Sequence, residues 1–281
     1  MKLPAYWEKE YIRRCENPHR TSWSSVYSRF MLEKNLRRYF REACDRIKSR
    51  PIRVLDLGCK TGLNIFMLNS YFGKKYDIQF TGIDLSANFI NMARMWKNYR
   101  NITNAQFKVG DIENDNLGEK CFHIVMSIET LEHLKDPKKV VRMINQLLVK
   151  GGIAIVSTPN ESDFFIQITD RLTFGILRRK MAEEHEQLMA VYPNDAKGVH
   201  PEVGYGHISL KPANQWIKIF KKERFTVEKV KSSMNMVYGG HIYDNKPVLF
   251  SFIVIVDRIF DRLLPNYHKY SHGFIMSARK G

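Results

Sequence analysis

The stretch Val54-Leu-Asp-Leu-Gly-Cys-Lys-Thr-Gly62 joins an apolar run to a helix-forming run, and the rest of the chain can be interpreted outward from it. Its glycines, Gly58 and Gly62, predict a sharp turn between a buried strand and a helix. Such a turn exposes backbone that a Cβ would shield, so a ligand can approach closely. In an open α/β sheet the turn lies beyond the carboxyl end of its strand, where ligands bind. The stretch therefore predicts a ligand-binding loop, although two glycines alone are weak support.

Strands and helices alternate around this stretch. An amphipathic helix is predicted before it, over residues 25–50, because apolar residues recur there at helical spacing between basic ones. The predicted strands are 52–57, 78–83, 105–109, 123–128, 152–157, 225–231 and 273–279, and the predicted helices are 63–71, 87–99, 137–149, 212–222 and 247–264. Alternation of this kind specifies a parallel sheet with helices on both faces.

Acidic residues follow the second and third strands. Asp84 ends the second strand in Thr81-Gly-Ile-Asp-Leu-Ser86, and Asp111 follows the third in Val109-Gly-Asp-Ile-Glu113. The first carboxylate can accept hydrogen bonds from both hydroxyls of a ribose, and the second can accept one from an adenine amino group. Each aspartate alone is also explained by helix capping or turn formation. Together with the glycines they predict a nucleoside-containing cofactor; an NAD-binding domain is the rival, but its Gly-x-Gly-x-x-Gly spacing is absent.

These motifs resemble those of the class I S-adenosylmethionine-dependent methyltransferases, over residues 50–160 strongly and 205–281 more loosely. The matching stretches are Asp56-Leu-Gly-Cys-Lys-Thr-Gly62, Gly82-Ile-Asp-Leu-Ser86, Gly110-Asp111, Leu131-Glu-His-Leu-Lys-Asp-Pro137 and Leu147-Leu-Val-Lys-Gly-Gly152. The resemblance implies a Rossmann-like α/β fold with a seven-stranded, mostly parallel sheet, helices on both faces and an antiparallel last strand. It also implies S-adenosylmethionine as the cofactor and methyl transfer as the activity.

The resemblance further implies which residues bind the cofactor. In this family the loop of Gly58 and Gly62 wraps the methionine part, Asp84 binds the ribose, and Asp111 lies by the adenine. The full predicted set is Asp56, Gly58, Cys59, Gly62, Asp84, Leu85, Asp111, Ile112 and Ser127. The chain departs from the pattern at Lys60, where the family usually has glycine. The lysine stem must then point away from the cofactor, or the site is degenerate and non-catalytic.

A second constellation follows the fourth strand, in Ser127-Ile-Glu-Thr-Leu-Glu-His-Leu134. If this stretch is helical, Glu129 faces both Glu132 and His133 from one turn away. The stretch resembles the Glu-x-x-Glu-His motif of two metal-using groups, the ubiquinone-pathway O-methyltransferases and the small-RNA 2′-O-methyltransferases. Both groups place another histidine after the fifth strand, and His207 is the matching residue here.

Two chemistries are open to these residues. Glu129, Glu132, His133 and His207 can hold a divalent cation such as Mg²⁺, which lowers the pKa of an acceptor hydroxyl and orients its oxygen toward the sulfonium methyl. Without a metal, His133 or His207 can act as the general base, since imidazole titrates near neutral pH. The simpler alternative is that the glutamates favour a helix start and that both histidines are structural.

A single methyltransferase domain over residues 1–281 fits the chain length. Its predicted parts are an N-terminal helical lid (1–50), a cofactor-binding core (50–160), an insertion or cap (161–205) and the C-terminal part of the core (206–281) with the apolar helix 247–264. The uncharged part of that helix is too short to span a bilayer, which needs roughly 20 residues. Packing on the domain is favoured, and peripheral contact with a membrane surface is the alternative.

The formal net charge of +16 favours acidic partners such as RNA, phosphorylated substrates or anionic membranes, but it also fits a lysine-rich solvated surface. Four cysteines without Cys-x-x-Cys spacing, and an N-terminus without an apolar signal segment, predict a cytoplasmic protein without disulfides or zinc. Because no RNA-binding module is recognisable, a small-molecule acceptor methylated at oxygen is favoured over nucleic acid. A metal-dependent RNA 2′-O-methyltransferase and a non-catalytic binding protein are the alternatives, and the oligomeric state is open.

Overall fold

A computed structural model describes residues 23–118, 121–161, 171, 207–234 and 246–281. The predicted cap (161–205), apart from Glu161 and Arg171, and residues 1–22 of the predicted lid lie outside the described residues. The elements are α1 (Trp23–Arg46), β1 (Ile52–Leu57), α2 (Leu63–Phe72), β2 (Ile78–Asp84), α3 (Ala87–Tyr99), β3 (Ala105–Val109), β4 (Phe122–Ile128), a 3₁₀ turn (Leu131–His133), α4 (Pro137–Leu147), β5 (Leu148–Pro159), α5 (Ala213–Lys222), β6 (Phe225–Met234), α6 (Pro247–Leu263), a 3₁₀ turn (Tyr267–Lys269) and β7 (Gly273–Lys280).

The strands form one seven-stranded sheet in the order β3-β2-β1-β4-β5-β7-β6. The pairs among β1 to β5 are parallel, whereas β7 lies between β5 and β6 and is antiparallel to both. The predicted Rossmann-like α/β sheet with an antiparallel last strand is therefore confirmed. The strand order reverses between β1 and β4, so the carboxyl ends of these two strands border the crevice in which an open sheet binds its ligand.

Each face of the sheet carries its own apolar core, because successive residues of a strand point to opposite faces. In β5, Ile153 and Ile155 belong to one core, and Ala154 and Val156 belong to the other. The central helical side chains are Leu36, Phe40, Leu68 and Ile90 in the first core and Val141, Ile144, Trp216 and Phe220 in the second. Each of these large side chains stabilises the fold by about 1.5–3 kcal/mol through burial.

The helix α1 contributes side chains to the first of these cores. Leu36 and Phe40 are completely buried against the sheet, and the side-chain amide of Asn35 donates to the carbonyl oxygen of Ser232 in β6 at 2.8 Å. Residues 23–46 of the predicted N-terminal lid thus form a helix packed on the sheet, and the division of the chain into lid, core and cap stays a prediction. The apolar stripe that predicted an amphipathic helix packs on the sheet itself.

The main difference in boundaries is between α4 and β5. The helix was predicted over 137–149 and the strand over 152–157, but the strand begins at Leu148. The backbone of Leu148 is extended, with ψ 140°, because it pairs with Phe122 at the start of β4. A tertiary pairing thus ends the helix earlier than its sequence pattern indicates.

Residues 235–272 separate β6 from β7, although the two strands are neighbours in the sheet. A two-residue turn is enough to join antiparallel neighbours, whereas this connection contains α6 and the second 3₁₀ turn. Gly273, the first residue of β7, pairs with Pro159, the last residue of β5. Because β6 also ends at this edge, α6 is inserted at the carboxyl edge of the sheet. Across the described part of the chain, no helix is both long and apolar enough to cross a membrane.

Candidate active site

The predicted ligand loop joins β1 to α2, and both of its glycines are left-handed. Gly58 has φ 75° and Gly62 has φ 79°, values that other residues rarely adopt. The backbone N–H groups of Gly58 and Cys59 donate to the carbonyl oxygen of Ile83 at 2.8 and 3.0 Å, which fixes the loop to the end of β2. A Cβ at Gly62 would lie 2.8 Å from the Phe107 ring. Glycine is therefore required there by both conformation and packing.

The carboxylate of Asp84 holds the other side of this loop. One oxygen accepts a hydrogen bond from the backbone N–H of Lys60 at 2.8 Å, and the other accepts one from that of Ser86 at 3.0 Å. Lys60 has φ 49°, which gives a physical reason why glycine is usual at this position. The lysine is exposed, so its side chain does not fill the loop. A carboxylate has about four acceptor positions, and binding of ribose hydroxyls by Asp84 stays a prediction.

Asp56 and Ser127 lie near the carboxyl ends of β1 and β4, beside the reversal in strand order, and both are completely buried. Among the described residues, no hydrogen-bond partner is found for either carboxylate oxygen of Asp56. The same holds for the hydroxyl of Ser127. Burial, together with the carboxylate of Asp84, raises the pKa of Asp56 to about 8. A cationic ligand group would stabilise the ionised form of Asp56. The ammonium and sulfonium of S-adenosylmethionine fit this requirement.

Asp111 is occupied by local hydrogen bonds. Its carboxylate accepts from the backbone N–H of Glu113 and from the side-chain amide of Asn114, each at 2.9 Å. These bonds lower the pKa of Asp111 in spite of its partial burial. Ile112 is buried beside it. The turn-forming role considered for Asp111 is thus observed, and its contact with an adenine stays a prediction, as does that of Leu85, which is partly exposed.

Three of the four residues predicted for catalysis or metal binding come together beyond β4. Glu132 and His133 lie on the 3₁₀ turn, and His207 lies in the segment that precedes α5. Ligand atoms of the three residues lie within 4.8 Å of one another, and the two imidazole centroids are 5.0 Å apart. The backbone N–H of Ser209 donates to the carbonyl oxygen of Glu132 at 2.9 Å. This bond fixes the position of the segment that carries His207. We call Glu132, His133 and His207 the Glu132 cluster.

Thr130, two residues before Glu132, lies between the cluster and the ligand loop. A Cβ at Gly58 would lie 2.5 Å from the side chain of Thr130. The backbone N–H of His133 donates in turn to the carbonyl oxygen of Thr130 at 3.1 Å. A molecule bound by the loop and a molecule bound by the cluster would therefore be neighbours.

Burial controls the protonation of the Glu132 cluster. Burial, with a further contribution from Glu129, raises the pKa of Glu132 well above its usual range, and within the described ranges neither of its carboxylate oxygens has a hydrogen-bond partner. Burial, with His133 contributing, lowers the pKa of His207 to about 3, so its imidazole is neutral at physiological pH. The Nε2 atom of His133 lies 3.7 Å from Oε1 of Glu132. One carboxylate and two imidazoles are also a donor set that suits divalent transition metals.

Glu129 does not join this cluster, and the regular helix considered for its stretch is not formed. The backbone of Glu129 is left-handed, with φ 52°, and the 3₁₀ turn begins only at Leu131. The hydroxyl of Ser157 donates to the Glu129 carboxylate at 2.6 Å. Burial raises the pKa of Glu129, and this hydrogen bond opposes the rise. The structure thus pairs Glu129 with β5.

Sequence reasoning missed Arg29 and Ser157. The guanidinium of Arg29, in α1, donates to the side-chain oxygen of Asn64 at the start of α2 at 2.9 Å. Its charge lowers the pKa of Asp56 and of Glu129 against the effect of burial. Because Arg29 lies well before the first motif, no local pattern connects it with the site.

A family model described as a methyltransferase domain matches residues 48–224. The chain therefore belongs to this family, the class I S-adenosylmethionine-dependent methyltransferases, and the resemblance noted from the motifs is confirmed.

Individual relatives differ in their acceptors. The chain is 24% identical over 216 residues to a phosphoethanolamine N-methyltransferase of Triticum aestivum, covering 73% of this chain and 38% of the relative. It is 34% identical over 113 residues to a malonyl-[acyl-carrier protein] O-methyltransferase of Bacillus anthracis, covering 40% and 39%. The structure of phosphoethanolamine N-methyltransferase 2 of Haemonchus contortus, a complex with S-adenosyl-L-methionine, matches with TM-score 0.53 and 17% identity, covering 88% and 52%. The chain spans about two fifths of the length of these curated relatives.

Proposed function

We propose that the chain transfers a methyl group from S-adenosylmethionine to an oxygen atom of a small-molecule acceptor. The observation that carries the proposal is the position of Thr130, which lies against Gly58 of the ligand loop and accepts a hydrogen bond from the backbone of His133 in the Glu132 cluster. A hydroxyl must lose its proton when its oxygen is methylated, and the cluster offers the imidazole of His133 to accept that proton. Relatives named for transfer to nitrogen and to oxygen both match the chain. The support for oxygen therefore comes from the cluster.

Each residue has a separate task in this proposal. S-adenosylmethionine supplies an electrophilic methyl group on a sulfonium sulfur. Asp84 holds the loop in its binding conformation, and ionised Asp56 balances a buried positive charge. His133 accepts the proton of the acceptor hydroxyl, and the buried side chain of Glu132 lies 3.7 Å from its Nε2. Neutral His207 accepts a hydrogen bond from the acceptor and so orients it.

The Glu132 cluster is also where a divalent cation would be held. A bound cation would supply Lewis-acid stabilisation of the acceptor oxygen. We expect EDTA to lower turnover and Mg²⁺ or Mn²⁺ to restore it, whereas the isosteric Glu132→Gln variant should not be restored. Glu129→Gln, outside the cluster, is the matched control and should keep the metal response. Equal turnover with EDTA and with metal would remove the cation from the proposal and leave His133 as the base.

We also propose a cytoplasmic location. Among the described residues, Cys44, Cys59 and Cys121 are free thiols, which is typical of proteins in a reducing compartment.

The acceptor class can be tested with a panel of small hydroxyl, carboxyl and amine compounds and mass detection of the methylated product. We expect methylated oxygen compounds, and we expect His133→Ala to lower kcat by about 10²–10⁴-fold, as loss of a general base does. The dissociation constant of S-adenosylmethionine should not change, because His133 is outside the ligand loop.

His123→Gln is the matched histidine control. His123 lies at the opposite edge of the sheet, where its Nδ1 accepts a hydrogen bond from the backbone of Arg53 at 3.0 Å, and its loss should leave turnover per folded molecule unchanged. Methylation of amines alone, or full kcat in His133→Ala, would contradict the proposal.

A further inference from the structure

The helix α6 exposes an apolar stripe to solvent. Its members follow one another at spacings of four, three, four and four residues, which puts them on one side of a helix. They are Val248, Phe252, Ile255, Ile259 and Leu263, with exposed fractions of 83, 62, 57, 46 and 69%. We propose that this stripe binds the surface of an anionic membrane, with α6 lying in the plane of the interface.

The opposite side of α6 fixes the direction of the stripe. Asp257 is completely buried, and its two carboxylate oxygens accept hydrogen bonds from the hydroxyls of Tyr27 in α1 at 2.9 Å and of Tyr267 at 2.7 Å. Rotation of α6 to bury the stripe would expose Asp257 and break both bonds. The two hydrogen bonds therefore hold the helix with its apolar side toward solvent.

Charge favours a lipid surface over a second copy of the chain. Arg258 and Arg262 are exposed, and at 100° per residue both lie along one border of the stripe. An apolar face bordered by basic residues is the pattern of helices that lie in the headgroup region of anionic membranes. Two copies of the chain, each with a formal net charge of +16, would instead repel each other.

The position of α6 relates this surface to the active site. The helix is inserted at the carboxyl edge of the sheet, the edge that carries the ligand loop. Tyr27, which anchors α6, lies two positions before Arg29, which contacts Asn64 at the start of α2. Docking through the stripe would bring this edge toward the membrane, so the site would meet an amphiphilic acceptor at the lipid surface.

Flotation of the full chain with lipid vesicles tests the proposal. One set of vesicles contains phosphatidylcholine alone, and the other contains about one third phosphatidylglycerol. We expect the protein to float with the anionic vesicles, and Ile255→Glu/Ile259→Glu to lower the bound fraction at least about tenfold, because it puts two charges on the stripe. Arg258→Gln/Arg262→Gln should weaken binding to anionic vesicles and leave the weak binding to phosphatidylcholine unchanged.

The matched control is Met95→Glu/Tyr99→Glu on α3. These residues have the same spacing of four and exposed fractions of 70 and 80%, but they are not on α6. This variant should float like the wild type, and circular dichroism should show that all variants are folded. Failure of the wild-type protein to float, or equal losses in both glutamate variants, would overturn the proposal. So would a wild-type dimer that Ile255→Glu/Ile259→Glu converts to a monomer without any change in vesicle binding.

Discussion

The ligand loop after β1 and the Glu132 cluster after β4 are both next to Thr130, yet they are built in different ways. The loop depends on backbone conformation, since Gly58 and Gly62 are left-handed and Asp84 accepts hydrogen bonds from nearby backbone N–H groups. The cluster depends on a contact between distant parts of the chain, where the segment of His207 meets Glu132. The loop can therefore be recognised from a motif, whereas the cluster exists only in the folded protein.

Removal of the Asp84 carboxylate should have the largest effect, and it should act on the ligand loop and not on the Glu132 cluster. We expect Asp84→Ala to weaken binding of S-adenosylmethionine at least about 100-fold, which equals about 2.7 kcal/mol, because the loop loses the acceptor for the backbone N–H of Lys60 and the cofactor loses the proposed ribose ligand. Calorimetric titration measures the change. Asp77→Ala, at an exposed position just before β2, is the control and should bind like the wild type. Unchanged affinity in Asp84→Ala would show that the loop is not the cofactor site.

The stability of the cofactor-free protein should depend on pH through Asp56. Its pKa is about 8 in the folded protein and 3.8 without the fold, so the folded state holds an extra proton between these values and stability falls as the pH rises through this window. Asn cannot ionise, so Asp56→Asn should gain roughly 2–3 kcal/mol over the wild type between about pH 5.5 and 8.5 in urea unfolding.

Asp111→Asn is the control for this titration. The pKa of Asp111 is lowered and lies below that pH window, so the difference in unfolding free energy between this variant and the wild type should stay constant across it. Parallel pH profiles for Asp56→Asn and the wild type would show that Asp56 does not titrate as described.

The packing of the loop can be separated from its backbone conformation with two glycine substitutions. Gly62 and Gly151 have similar φ values, 79° and 74°, but a Cβ would meet the Phe107 ring at 2.8 Å in Gly62 and nothing within 4 Å in Gly151. We expect Gly62→Ala to lower the free energy of unfolding by about 2–3 kcal/mol and Gly151→Ala by about 1 kcal/mol. Equal losses would mean that close packing does not define the loop.

The smallest expected effect concerns Lys60. Replacement by glycine relieves a left-handed lysine, with φ 49°, and should raise the free energy of unfolding by about 0.5–1 kcal/mol. Arg224→Gly, at φ 63° after α5, should give a similar gain. Only Lys60→Gly should also raise the pKa of Asp56, because the lysine charge lowers it. The pH profile of unfolding distinguishes the variants, and an identical profile would remove Lys60 from the electrostatics of the site.

Much of the fold could be predicted because the sequence patterns that determine its strands and helices are local. The predicted ranges for β1, β3 and α3 coincide with those observed, since apolar runs and helical periodicity change at turn residues. Asp84 and Asp111, predicted to bind the cofactor, lie at or just after the ends of β2 and β3 for the same reason, and their contacts with the cofactor stay predictions.

The rest required tertiary contacts. Leu148 leaves the helical pattern because it pairs with β4, and α1 packs in the core although its composition also fitted a lid. A helix would have turned Glu129 toward Glu132 and His133, but its backbone is left-handed and its carboxylate accepts a hydrogen bond from Ser157. The role of Arg29 could not be predicted, since it acts on Asp56 from another element.

Calorimetric titration of the full chain with S-adenosylmethionine and, separately, with NAD⁺ tests the central claim most directly. The orphaned Asp56 and Ser127 and the loop held by Asp84 predict saturable binding of S-adenosylmethionine at one site, with affinity that increases with pH toward about 8 as Asp56 ionises. NAD⁺ should not bind. Binding of NAD⁺ at this site, or no binding of S-adenosylmethionine between pH 6 and about 9, would contradict the account.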